Sequence, residues 1–278
     1  KILLGHKLMQ SGNFILAFTK NRHLINQMIK RDIAQRYRGS WLGLLWSFIN
    51  PLLMLSVYSF VFSVVFKAKW GGNSAQPQHL GEYALILYCG LLIHSLFAEC
   101  LSRAPTIILN NASFVKKVVF PLEILPIMLL GTAIFHYLMG LFVLLFGILI
   151  IYGSLPITAL FLPIILFPLC IFMLGMAWIL ASLGVFLRDI GQMIGLVMTI
   201  LLFLSPVFYT VDSLPQKFQK IIYLNPLSLI VEQVRLVLLF GKMPNFYALG
   251  IYMFLAFFTL VFGFWWFQKT RKAFADVI

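Results

Sequence analysis

The chain has 278 residues, of which 62% are hydrophobic and only 10% charged, and its mean hydropathy is +0.98. That much apolar surface exceeds what a soluble core can hide, which excludes a soluble globular protein and points to an all-α integral membrane protein. Lys and Arg number 21 against 8 Asp and Glu; in a membrane chain such an excess addresses the cytoplasmic face and its anionic lipid, and without aromatic interleaving on a soluble face it excludes a nucleic-acid surface.

Residues 1–46 read as a cytoplasmic N-terminal segment ahead of a membrane domain over 47–278. Ile25, Met28, Ile29, Ile33 and Tyr37 recur at helical spacing while Lys30, Arg31, Gln35 and Arg36 take the other face, with Asn21 as a cap. This predicts an amphipathic helix lying in the headgroup layer, with Lys30, Arg31, Arg36 and Arg38 among lipid phosphates. After Arg38-Gly39-Ser40 the charges stop, and Trp41 and Trp46 mark the boundary of the bilayer. No signal-peptide pattern precedes the first span, so that span is expected to be an uncleaved anchor.

At roughly 20 apolar residues per crossing, six spans are predicted near 47–66, 83–101, 124–152, 158–186, 191–209 and 247–267. The third and fourth are longer than a bilayer needs, and Pro163, Pro168, Gly175 and Gly184 predict kinks in the fourth. With the N-terminus inside, fifteen of the 21 cations fall in inner segments and six outside, Lys67, Lys69, Lys217, Lys220, Arg235 and Lys242. Both termini are therefore expected to be cytoplasmic. Cys89, Cys100 and Cys170 fall in apolar runs and suggest packing rather than a disulfide or a metal site.

Between the fifth and sixth spans, Asp212-Ser213-Leu214-Pro215 is a helix start, Asn225-Pro226 a break and Gly241 with Pro244 a stop. Two short helices, about 216–224 and 227–240, are predicted. The second is too short to span and holds Glu232, Gln233 and Arg235, so the pair reads as a re-entrant or interfacial hairpin on the outer face.

Several stretches carry a resemblance. Arg36-Tyr37-Arg38, Ser40, Leu42-Gly43, Trp46 and Pro51 resemble the start of the first span in the membrane subunits of ABC-2 type polysaccharide exporters, which export O-antigen, capsule or teichoic acid. Asn110, Val115, Lys116, Lys117, Phe120, Pro121, Glu123, Leu125 and Pro126 are similar to that family's segment between spans two and three, where a coupling helix docks into the ATPase subunit. Arg188-Asp189 resembles its second, short cytoplasmic contact. Ser205-Pro206-Val207-Phe208-Tyr209, then Asn225-Pro226 with Glu232 and Arg235, resemble its external region, which makes the hairpin a candidate outer gate. The matches run in order from about Arg31 to Arg235.

Three ionisable residues stand within spans, His94, Glu99 and His136. Glu99 reads as an ion pair with Arg103, four residues on, in preference to a transport role, and the histidines read as packing or interhelical hydrogen-bonding groups. Tyr58, Phe62 and Phe66 form a stripe at four-residue spacing, which is either packed or lipid-facing or, as the resemblance implies, lines a glycan path with Phe203 and Tyr209 of span five. Gly191 and Gly195, like Ala177 and Ala181, stand one turn apart and permit close packing.

No Gly-x-x-x-x-Gly-Lys-Ser/Thr motif is present, so ATP hydrolysis is not expected of this chain. The resemblance implies a homodimer with two copies of an ATPase subunit that binds ATP and magnesium, in a bacterial cytoplasmic membrane, moving a glycan on a lipid pyrophosphate carrier. The alternatives are an ABC-2 exporter of a drug or other small amphiphile and, more distantly, an integral-membrane glycosyltransferase or an ion-coupled carrier. The glycosyltransferase lacks a nucleophile, metal site or acid pair here, and the carrier lacks midplane acids.

Overall fold

A computed structural model describes residues 21–65, 81–115 and 120–278, all helices, turns and loops without a strand among them. Phe66, Lys116 and Lys117 lie outside the described residues. The helices are α1 (Arg22–Tyr37), α2 (Trp46–Tyr58), α3 (Glu82–Arg103), α4 (Ala112–Val115), α5 (Ile124–Tyr152), α6 (Leu162–Phe186), α7 (Ile190–Leu204), α8 (Gln216–Leu224), α9 (Pro226–Leu238), α10 (Phe246–Thr270) and α11 (Phe274–Val277).

Among the described residues, five helical stretches are long and apolar enough to cross a membrane: Gly43–Phe62, Glu82–Thr106, Ile124–Tyr152, Ile157–Phe186 and Phe246–Val277. They correspond to predicted spans one to four and six. The fifth departs from expectation, because α7 has only 15 residues and ends at Leu204 rather than near 209. At about 1.5 Å per residue it covers about 22 Å, short of the roughly 30 Å hydrocarbon core. Pro206 has no amide with which to continue the ladder, and from Ser205 the chain turns away in extended backbone. The hairpin forms as expected, with α9 starting at Pro226 and ending at Leu238, bent 97° from α8.

The core is built around α3, 72% of whose apolar window is buried, against 6% for the first span. Helix α3 is walled by α5, α6, α7 and α9, whereas α2 lies at the periphery against α3 and α5. Helices α6 and α10 form the tightest pair, for a reason visible in their glycines. A Cβ on Gly263 would stand 2.2 Å from the Gly175 carbonyl oxygen, and one on Gly184 would stand 1.9 Å from that of Pro105. Gly175 and Gly184, expected as kink sites, are thus close-approach sites, the small-residue contact that membrane helices use where water gives no hydrophobic drive. Of the two small residues Gly191 and Gly195, Gly191 approaches Thr106, where a Cβ would stand 3.7 Å away, and Gly195 meets nothing within 4 Å among the described residues.

Candidate coupling and translocation surfaces

Helix α1 forms as expected, but its apolar side chains lie against protein. Ile25 and Met28 are buried, and Ile29 fills the space over Gly131 of α5. Its polar residues then meet the C-terminal end of α3 in an antiparallel ladder: Asp32 accepts from the Arg103 guanidinium at 2.7 and 2.9 Å, and one turn on Arg36 pairs with Glu99. His136 of α5 joins through Nδ1, 2.7 Å from the Glu99 carboxylate and 3.2 Å from Arg36. The predicted Glu99–Arg103 pair is therefore secondary at 4.0 Å, since Asp32 offers Arg103 both carboxylate oxygens. Of the four cations assigned to lipid phosphates, Lys30, Arg31 and Arg38 are exposed, while Arg36 is engaged with Glu99. His94 bridges α3 to α7 through the Met198 carbonyl at 2.9 Å, an interhelical hydrogen bond of the expected kind.

The segment after α3 turns sharply through Ala104–Thr106 and Leu109–Asn111 into the short α4. Asn110 is exposed, Asn111 closes the turn onto the Ile107 carbonyl at 2.9 Å, and Val115 ends α4 partly buried. Phe114 stacks on Phe120 at 4.4 Å and carries the Arg31 guanidinium over its ring at 5.4 Å, so α1 touches this segment directly. Arg188 and Asp189 are exposed in the link from α6 to α7, and a Cβ on the next glycine, Gly191, would stand 3.7 Å from Thr106. The two stretches assigned to ATPase contact thus flank one another on one end of the bundle. Glu123 at the far end of the segment is buried and paired with Arg271 at 2.9 Å, which pins the C-terminal end to the same surface.

At the opposite end, Arg235 is 3% exposed and holds the broken end of span five. Its guanidinium donates to the carbonyls of Ile86 at 3.1 Å, Val207 at 2.7 Å and Pro206. Asn225 caps α9 at the Leu227 amide and donates to Ser205 at 2.8 Å, with Pro226 in the first turn. Of the four residues assigned to an outer gate, Asn225, Pro226 and Arg235 are therefore built into the hairpin's attachment. Burial lowers the Arg235 guanidinium to about 10, which leaves it charged at neutral pH. Desolvation, with Asp212 nearby, raises the half-buried Glu232 carboxyl above its ordinary value against the opposing pull of Arg235.

Phe62, Tyr83, Phe208 and Phe203 form a connected row. After Tyr58 the helix passes into a π-helical turn over Ser59–Val65, which alters the four-residue register. Phe62 lies 5.5 Å from Tyr83, whose hydroxyl donates to the Phe208 carbonyl at 3.2 Å, and Phe208 stacks on Phe203 at 5.8 Å. Tyr209 turns back to cap the Phe203 and Leu204 carbonyls at 3.3 and 3.2 Å. Tyr83, absent from the sequence-level assignment, is the link between span one and span five.

The family of ABC-2 type transporters matches residues 23–239, from the amphipathic helix through the end of the hairpin. This chain belongs to that family. Among curated relatives, an O-antigen export system permease protein RfbA from Klebsiella pneumoniae is 28% identical over 257 residues, covering 92% of this chain and 95% of the relative. Another from Myxococcus xanthus is 26% identical over 232 residues, covering 81% and 83%. In an ABC-2 permease the Arg31–Phe114 contact and the Asp32–Arg103 pair gain meaning, because they join α1 to the stretch that resembles the coupling segment. A signal for that pairing stood in the sequence: Asp32 is the only acid in α1, at odds with a helix that simply rests on anionic lipid.

Proposed function

We propose that this chain is the transmembrane subunit of an exporter that moves a lipid-linked polysaccharide, of O-antigen type first and capsule or teichoic acid next, across the cytoplasmic membrane. Two copies pair with one another and with two ATPase subunits that bind ATP and magnesium. The end-to-end match to permeases named for O-antigen export carries this reading. Six or fewer crossing helices are few to enclose a glycan-wide path, which favours the dimer. The exposed Asn110, Arg188 and Asp189 supply an ATPase docking surface with Val115, and Lys116 and Lys117 extend it in sequence. The exposed Lys30 and Arg38, with Arg31 beside Phe114, are the candidates to meet the carrier's phosphates, and Phe62, Phe203 and Tyr209 are assigned to the path near its outer end, with Tyr58 deeper along span one and Phe66 following Phe62 in sequence.

Deleting the gene in its host is expected to abolish surface glycan while lipid-linked glycan accumulates on the inner leaflet, and the wild-type chain should restore export only with a functional ATPase partner. Unchanged surface glycan, with resistance to a small amphiphile lost instead, would favour the drug-exporter alternative.

Both termini are assigned to the cytoplasm and the hairpin to the outer face. Single cysteines at the exposed Gln216 and Lys242, with Cys89, Cys100 and Cys170 replaced, are expected to react with an impermeant thiol reagent added to intact spheroplasts. Labelling that requires permeabilisation would reverse this topology.

A further inference from the structure

A cavity of about 270 Å³ opens where the end of α1 meets α2, α3 and α5. We propose that it binds a single neutral sugar ring of the transported glycan, one such site in each protomer and lined by side chains of that protomer alone. The assignment rests on the reading of the chain as a glycan exporter.

Three features select the ligand. The first is size, since small-molecule sites commonly run from roughly 300 to 1,000 Å³, and this volume at their lower bound suits one ring rather than a chain.

The second is charge. Arg36 and Glu99 both line the cavity and neutralise one another, and no unpaired cation stands among the described residues around it. A phosphate entering there would have to break the Arg36–Glu99 pair, whereas a neutral polyol enters without doing so.

The third is the pattern of lining groups. Trp46 and Tyr58 present aromatic bodies, on which the C–H face of a sugar rests, and Asn50 and Ser95 are exposed polar groups beside them. His136 completes the set. Its Nδ1 lies 2.7 Å from the Glu99 carboxylate, which holds the ring in the cavity wall.

The test uses the permease assembled with its ATPase in lipid nanodiscs, so that both faces are open. The probe is the oligosaccharide released by mild acid from the host's own surface glycan, read by quenching of Trp46 fluorescence, with Trp46→Phe as the signal control. Inorganic pyrophosphate is the comparison ligand. Saturable quenching by the oligosaccharide is expected, with affinity weakened about fivefold in Asn50→Ala, the effect of one neutral hydrogen bond, and abolished in Ser95→Phe, which fills the cavity. Absence of saturable quenching overturns the proposal, as does wild-type affinity in both variants. Saturation by pyrophosphate that the oligosaccharide cannot displace overturns it in favour of an anion site. Surface glycan separates this result from the wider reading. If deletion of the gene abolishes it and both variants restore it with unweakened binding, the cavity assignment fails and export stands; if deletion leaves it intact, both fail.

Discussion

Replacing Arg235 by Leu is expected to cost the folded permease about 3–5 kcal/mol, the range for removing one member of a buried charged network. The reason lies in the chain around Pro206. Helix α7 ends at Leu204, the next residues leave the helical ladder, and the Pro206 and Val207 carbonyls take their hydrogens from the Arg235 guanidinium. Its Nε reaches Ile86 on α3 as well, so one side chain ties three elements together. Gly90 makes the room, since a Cβ there would lie 2.8 Å from the guanidinium. Leucine would fill part of the volume and take the guanidinium away from the Pro206 and Val207 carbonyls, which lie outside any helical ladder. Against a typical total of roughly 5–15 kcal/mol the loss is severe. At about 2–4 °C per kcal/mol for a chain of this size it should lower the thermal midpoint of the detergent-solubilised protein by roughly 10 °C. Arg235→Lys should recover only part of this, because an ammonium cannot reproduce the fork that reaches three separate carbonyls. A wild-type midpoint in Arg235→Leu would mean that the hairpin is held by its apolar packing alone.

That role was half visible in the sequence. Apolar runs and their breaks locate the spans because the bilayer demands length and composition and little else, and Asn225-Pro226 locates the hairpin through local capping chemistry. The end of α7 was half legible, since residues 191–209 are apolar enough to cross and Pro206 marks a break, but the partner that holds the broken end stands 29 residues after Pro206. The inner cluster shows the same limit. Glu99 and Arg103 satisfy the local i,i+4 rule, and a local rule wins when nothing else competes. Here α1 brings Asp32 and Arg36, themselves four apart, against that pair and exchanges its partners. Gly175 and Gly184 show a related limit, because a glycine that bends a helix and one that admits another backbone look alike until the second backbone is known.

The ladder between α1 and α3 leads to the last expectation, on how motion of the docking surface reaches the membrane interface. Arg103 closes α3 and is followed at once by Ala104–Thr106, which is wedged against α6 at Gly184. Asp32 grips Arg103 from α1, and Arg31 of the same helix lies over Phe114. A displacement of this segment therefore has a rigid grip on α1 at two points. The pair is neither buried nor free, with side-chain exposures of 36% for Arg103 and 15% for Asp32, so its worth lies between the roughly 0–1 kcal/mol of a surface pair and the 3–5 kcal/mol of breaking a buried one. Asp32→Asn and Arg103→Met are each expected to lower export and glycan-stimulated ATPase activity of the reconstituted complex about tenfold, which corresponds to about 1.4 kcal/mol. If the two act as one contact, the double variant should lose no more than the worse single. Independent effects would multiply to about a hundredfold. The sign of the Asp32→Asn effect is the sharper discriminator. A helix held only by anionic lipid would bind more tightly once its one carboxylate was neutralised, leaving activity unchanged or raised, whereas a helix that transmits the stroke through Arg103 must lose activity.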